Sequence, residues 1–150
     1  MRSGTENVAG IYSMAKALED NVNCMEDIQE RVALLDNLLV DTLTAEKIDF
    51  VINGNSRQRA FGILNVAIKD MDGEGLLNML DMHDVYISIG SACNSKWQDR
   101  SHVLTAMGID NERIDSSVRI SIGRYNTEED INSLVKLIVK CYRITTLADL

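Results

Sequence analysis

The 150-residue chain contains no proline, where an average chain carries about one in twenty. No linker, internal repeat or low-complexity segment divides it. It has three cysteines, Cys24, Cys93 and Cys141. They are far apart and form no C-x-x-C pair, which argues against a zinc site and against a dithiol redox motif. There are two histidines, His83 and His102, and the carboxylates are scattered, so no acid–base pair stands out. No apolar run approaches the ~20 residues of a membrane span. No signal-like apolar segment follows the N-terminus, so a cytoplasmic location with reduced thiols is expected. Basic residues are scarce: 15 Lys and Arg against 23 Asp and Glu give a net charge of −8. That balance argues against a nucleic-acid surface, which needs clustered cations, and against an anionic membrane.

The chain does have length and apolar content enough for one domain with a real core: 45% of its residues are hydrophobic. Val8, Ile11, Tyr12, Ala15 and Leu18 recur at helical spacing, and Thr5 is placed to cap that helix. A second helix is predicted from near Met25 to about Leu43, on a stripe of Ile28, Val32, Leu35, Leu38 and Leu39. Strands are predicted at Ile48–Ile52, Ile63–Ile68, Val85–Ile89 and Ser117–Ile122. Asp72-Gly73-Glu74-Gly75 opens a helix with Leu76, Leu77 and Leu80 on its core face. Ser101 to Gly108 reads as a capped helical turn ending in glycine. Thr127-Glu128-Glu129-Asp130 approximates a capping box ahead of a helix carrying Ile131, Leu134, Val135, Ile138 and Val139. Arg57-Gln58-Arg59 reads as a solvated basic loop. This order predicts an α+β fold: a mainly antiparallel sheet of about four strands covered by helices, with two long N-terminal helices.

One loop, Ile89-Gly90-Ser91-Ala92-Cys93-Asn94-Ser95, is the centre of chemical interest. Its small residues let a loop move and let a ligand approach the backbone. Cys93 is therefore a candidate nucleophile, although a free cysteine also packs as a small buried hydrophobe. Trp97 follows closely, either shielding the loop or anchoring it. Arg119 alternates with Val118 and Ile120, on the polar face of its strand with Ser117 and Ser121. There it can bind a carboxylate with two parallel hydrogen bonds, or serve as an ordinary solvated strand arginine. A Cys93–His102 pair would imitate a thiol hydrolase, but no third group is placed to orient it. Cys24 and Cys141 read as structural, with Cys141 on the apolar face of the last helix.

Several segments, in order, carry a family likeness. They are Arg2-Ser3-Gly4-Thr5-Glu6-Asn7, Asp72-Gly73-Glu74-Gly75-Leu76-Leu77, Gly90-Ser91-Ala92-Cys93 with Ser101-His102-Val103-Leu104, Ser117-Val118-Arg119-Ile120-Ser121-Ile122-Gly123-Arg124, and Thr127-Glu128-Glu129-Asp130-Ile131. Together they resemble the C-terminal small domain of a cysteine desulfurase, a class V aminotransferase of pyridoxal-phosphate fold type I. The likeness covers nearly the whole chain, 1–150, as a single domain. It implies that Cys93 takes sulfur from L-cysteine as a persulfide, leaving L-alanine, and passes it to an acceptor or scaffold protein in iron–sulfur cluster or thio-cofactor synthesis. It implies that Arg119 holds the substrate carboxylate. It implies that Thr5 helps hold the phosphate of pyridoxal phosphate in the neighbouring subunit of a homo-oligomer. The family anchors its cofactor on a lysine in a serine-x-histidine-lysine context, and none of Lys16, Lys47, Lys69, Lys96, Lys136 and Lys140 has it. The chain alone is thus expected to hold no cofactor covalently and to be inactive. Alternatives are a non-catalytic dimerisation or sulfur-transfer module, and a related enzyme acting on selenocysteine or cysteine sulfinate, since Arg119 suits any α-carboxylate.

Overall fold

A computed structural model of the chain describes residues 4–55, 58–90 and 100–148. Cys93, Lys96 and Trp97 lie outside the described residues, as do Arg2, Ser3 and Arg57. The elements run α1 (Val8–Asn23), α2 (Met25–Ala45), β1 (Phe50–Ile52), β2 (Ile63–Ile68), α3 (Gly73–Asp81), α4 (His102–Ala106), α5 (Asn111–Asp115), β3 (Ser117–Ser121) and α6 (Glu128–Ala148).

The sheet is antiparallel in the order β1-β2-β3, with Ile52 opposite Val66, Val66 opposite Val118, and Asn65 opposite Arg119. Because successive strand side chains alternate, Leu64, Val66 and Ile68 share one face with Val118, Ile120 and Ile122. That face is buried beneath α2, α3 and α6, which contribute Val32, Leu35, Leu39 and Leu43, then Leu76 and Leu80, then Ile131, Leu134, Val135 and Ile138. Both long helices repeat apolar residues every three or four positions, so each turns one stripe to the sheet. Part of the opposite face lies under the short α5, where Ile114, Ala67 and Ser117 are buried.

The sheet has three described strands rather than the four expected. Val85–Ile89 alternates like a strand, yet it makes one isolated bridge, Ser88 to Arg119. Val85, Ile87 and Ile89 still pack against the core, whereas Tyr86 is 75% exposed. The alternation therefore reports a half-buried segment, not a ladder.

Local capping explains several helix ends. Asn7, not Thr5, caps α1: its side chain accepts from the Gly10 amide at 3.0 Å. Asp72 caps α3 by accepting from the Gly75 amide at 2.7 Å. Ser101 caps α4, and Gly108 follows that helix at φ 75°, in the left-handed region that glycine adopts without strain. Before α6, the Thr127 amide donates to Asp130 Oδ2 at 2.9 Å and the Asp130 amide donates to Thr127 Oγ1 at 3.2 Å, a reciprocal capping box. The Thr127 amide is the main reason that the Asp130 carboxyl ionises below the usual aspartate range.

Two features depart from the sequence reading. Arg59 is not a solvated loop residue. Its guanidinium forks onto the Asp36 carboxylate of α2 and also donates to the Ile63 carbonyl at 3.2 Å, tying the segment before β2 to the helix layer. And α1 buries none of its residues: Val8, Ile11, Tyr12, Leu18 and Val22 are all more than half exposed. Its apolar stripe faces solvent, with a shallow groove lined by Tyr12, Ala15, Leu18 and Val22.

Candidate functional site

The candidate site is built on the sheet face that the long helices leave uncovered. Asn53, just past the end of β1, forms a row with Asn65 of β2 and Arg119 of β3, and Ser88 extends it beyond the sheet edge. At one end the row is a closed polar network. Asn53 Nδ2 donates to Asn65 Oδ1 at 2.6 Å and to Ser117 Oγ at 2.8 Å. Arg113, reaching back from α5, donates from Nε to Asn53 Oδ1 at 2.7 Å and from Nη2 to the Ile52 carbonyl at 3.2 Å. Ser117 Oγ in turn donates to the Arg113 carbonyl at 2.5 Å. Buried polar groups satisfied this way hold α5 against the strands and fix the start of β3.

The other end of the row is not closed. Arg119 Nη2 donates to Ser88 Oγ at 3.2 Å. Its Nε is buried and has no hydrogen-bond partner among the described residues. A guanidinium carries five donors in a rigid fork and stays charged, so a buried Nε without an acceptor is costly. A carboxylate oxygen is the acceptor that such a fork fits best. The strand alternation places Arg119 on the face that the sequence predicts, and the unfilled donor is the geometric addition.

Both ends of the segment that contains Cys93 are tied close to β3. At the leading end, the Ser88 amide donates to the Arg119 carbonyl at 3.0 Å and the Arg119 amide donates to the Ser88 carbonyl at 2.6 Å. Ser88 precedes Cys93 by five positions. At the trailing end, Arg100 donates from Nε and Nη2 to the two carboxylate oxygens of Asp115, each at 2.7 Å. This fork is the main cause of the lowered Asp115 pKa and of the raised Arg100 pKa. Both side chains are 49% exposed, so the pair orients more than it stabilises. Gly73 brings α3 against this same corner. A Cβ there would stand 2.9 Å from the Asp115 carbonyl oxygen and 3.1 Å from that of Ser117, so only glycine fits.

The other sequence candidates lie apart from this row. Thr5 is exposed in the segment ahead of α1, and no hydrogen bond or ion pair among the described residues joins it to Arg119. His102 is exposed on the first residue of α4. Cys24 is half-buried at the junction of α1 and α2, and Cys141 is 3% exposed in the core, where burial raises its thiol pKa. No group of His, Cys, Asp and Glu among the described residues is arranged to hold a metal ion. No helix among them is long and apolar enough to cross a membrane. Sequence reasoning missed Ser88, Asn53, Asn65 and Arg113. The signal for Ser88 was present, as the central polar position in the alternation Ile87-Ser88-Ile89.

The described residues do not fit the covalent anchoring of pyridoxal phosphate. Lys16 pairs with Glu19 and Lys69 with Asp49 on the outer surface, and Lys47, Lys136 and Lys140 are likewise exposed. Exposed as they are, none of these lysines is desolvated in a way that would make its amine nucleophilic.

Comparison with known proteins matches this architecture. The chain is 39% identical over 138 residues to the cysteine desulfurase IscS of Methanosarcina thermophila, a match that covers 91% of this chain and 34% of that protein. It is 36% identical over 150 residues to the cysteine desulfurase IscS of Rickettsia bellii, covering all of this chain and 36% of that one. A solved structure described as a NifS-like protein superposes with a TM-score of 0.81 at 29% identity, over 95% of this chain and 36% of that one. The chain thus spans about a third of the length of these relatives. The family model for class-V aminotransferases matches residues 1–134, and the chain belongs to the class-V aminotransferase family.

Proposed function

We propose that this chain is the C-terminal small-domain part of a cysteine desulfurase and that its task is to receive sulfur. In this reading L-cysteine and the Cys93 thiol give L-alanine and a Cys93 persulfide, which passes to an acceptor or scaffold protein for iron–sulfur cluster or thio-cofactor synthesis. Arg119 binds the α-carboxylate of the substrate. The observation that carries the reading is the unfilled Arg119 fork, paired through Ser88 with the segment that leads into the stretch containing Cys93. The sulfur-donor chemistry rests on the likeness to relatives named cysteine desulfurase. The thiolate is the reacting form of Cys93, so a cationic neighbourhood serves it. The class V family is pyridoxal-phosphate dependent, and the cofactor lysine is assigned to a large domain of that family rather than to any lysine of this chain. Thr5 is assigned to the cofactor phosphate of a neighbouring subunit. By itself the chain is inactive, and its location is the cytoplasm.

The test is transfer of sulfur to Cys93. The purified chain with pyridoxal phosphate, L-cysteine and a reductant should release no sulfide above a Cys93→Ser blank and a free-cofactor blank. Release above both would overturn the claim of inactivity. With the cofactor-binding portion of a relative added, the peptide carrying Cys93 should gain the mass of one sulfur atom. No gain, where that relative's own small domain is labelled, would overturn the sulfur-acceptor role.

A second observation favours association. The exposed stripe of α1 is an apolar surface of the kind that proteins normally cover. We assign it to homo-oligomer formation, for which sedimentation at rising concentration is the direct measurement.

A further inference from the structure

We propose that Ser88 is a positioning residue for the Arg119 guanidinium, holding it with the Nε edge free for a carboxylate. This inference rests on the reading of Arg119 as the carboxylate-binding residue. Ser88 meets Arg119 three times. Two backbone hydrogen bonds, at 3.0 and 2.6 Å, fix the two residues opposite one another. The third, from Arg119 Nη2 to Ser88 Oγ at 3.2 Å, fixes the side chain. The backbone pair is an isolated bridge, so the place of Ser88 beside β3 does not depend on a longer ladder.

The neighbours on the other side do not do this work. Asn65 stands directly across the sheet from Arg119, and its Oδ1 accepts from Asn53. Arg113 is committed to Asn53 and to the Ile52 carbonyl. Among the described residues, then, Ser88 supplies the hydrogen bond that orients the guanidinium. An arginine side chain has many rotamers, and one contact at Nη2 removes much of that freedom before a ligand arrives. Nη2 has two hydrogens. With one given to Ser88, the other and the Nε hydrogen remain for a carboxylate. The buried, unpartnered Nε points to a ligand, because a native structure rarely leaves such a donor unused.

The experiment uses the full chain with nitrogen-15 in its arginines. The Nε–Hε signal of Arg119 is assigned by its loss in Arg119→Lys. In the ligand-free chain, Ser88→Ala should lower the order of this group and speed exchange of its proton with water by about tenfold, the loss of one hydrogen bond to a charged group. Ser88→Thr keeps the hydroxyl and should restore both. An unchanged Arg119 signal in Ser88→Ala, with the backbone spectrum otherwise preserved, would overturn the proposal. Titration with L-alanine then separates the two readings. It should move the Arg119 signal in the parent, about tenfold more weakly in Ser88→Ala and within about twofold of the parent in Ser88→Thr. No response in the parent would remove the carboxylate role of Arg119, while the exchange result decides the role of Ser88 on its own.

Discussion

Asn53→Ala is the substitution that most directly tests the closed end of the polar row. Asn53 is 8% exposed and makes three side-chain hydrogen bonds, to Asn65, Ser117 and Arg113. The three losses are unequal. Asn65 is half-buried, so water replaces much of what its Oδ1 loses. Ser117 keeps its bond to the Arg113 carbonyl. Arg113 Nε loses a partner while Nη2 keeps the Ile52 carbonyl, and a hydrogen bond to a charged group is the largest single loss at about 2 kcal/mol. With about 0.5 kcal/mol for each of the other two, the sum is about 3 kcal/mol. Domains of this kind are stable by roughly 5–15 kcal/mol, so the loss is a large share. For a urea slope of about 2 kcal/mol/M, the unfolding midpoint should fall by about 1.5 M. Asn53→Asp is the control. It keeps an acceptor for Arg113 and adds charge to it, and it faces Asn65, whose amide can turn to present its donor. The aspartate variant should therefore lie between parent and alanine. A shift under about 0.5 kcal/mol for Asn53→Ala, or an aspartate variant less stable than alanine, would refute the network.

Four further outcomes are expected. Lys47 lies at φ 59° just after α2, in a Schellman turn where the Ile48 amide donates to the Leu43 carbonyl, so Lys47→Gly should stabilise by about 0.5–1 kcal/mol in urea unfolding. Asp115 has a lowered pKa in the folded chain, so its contribution to stability is present above the ordinary aspartate range and is lost as pH falls from that range through the lower folded-state pKa. Melting curves of parent and Asp115→Asn should accordingly converge as pH falls below about 4. The Cys141 thiol is buried with a raised pKa, so mass spectrometry after iodoacetamide treatment at neutral pH should find it unmodified until the chain unfolds. Leu18→Glu lies on the uncovered stripe of α1, so it should change unfolding by less than about 0.5 kcal/mol while reducing self-association in sedimentation velocity.

How far the sequence foretold this fold depended on whether local pattern and burial coincide. Ile63–Ile68 does so, because Leu64, Val66 and Ile68 alternate and all three reach the core. Val85–Ile89 has the same period, and its apolar residues do pack inward, but backbone pairing also needs a partner in register, which alternation does not encode. Asp84, at φ 58°, ends the turn after α3, and among the described residues the chain then bridges to β3 at Ser88. Thr5 and Asn7 show a finer limit. Either residue type caps a helix, and the choice fell to the one whose side chain accepts from the amide three positions later. Arg59 failed for another reason. Its partner Asp36 is 23 positions away on a different element, and charge order along the chain says nothing about such a contact.

The same distinction governs the site. That Arg119 shares a face with Ser117 and Ser121 is a matter of period, so it was legible. That its neighbours differ in kind was not. Asn65 and Ser88 both flank Arg119 in space, and both are small polar residues of ordinary appearance. Asn65 accepts from Asn53, which is itself held by Arg113, so that side of the row is bonded within itself. Ser88 has no competitor among the described residues and therefore holds the guanidinium. The open Nε follows from that asymmetry, since an arginine flanked by two saturated partners would have found an acceptor on neither side, and one flanked by two free partners would have spent its donors on both. In the proposed site, the polar side chains on one side of Arg119 bond one another, while its buried Nε has no acceptor among the described residues.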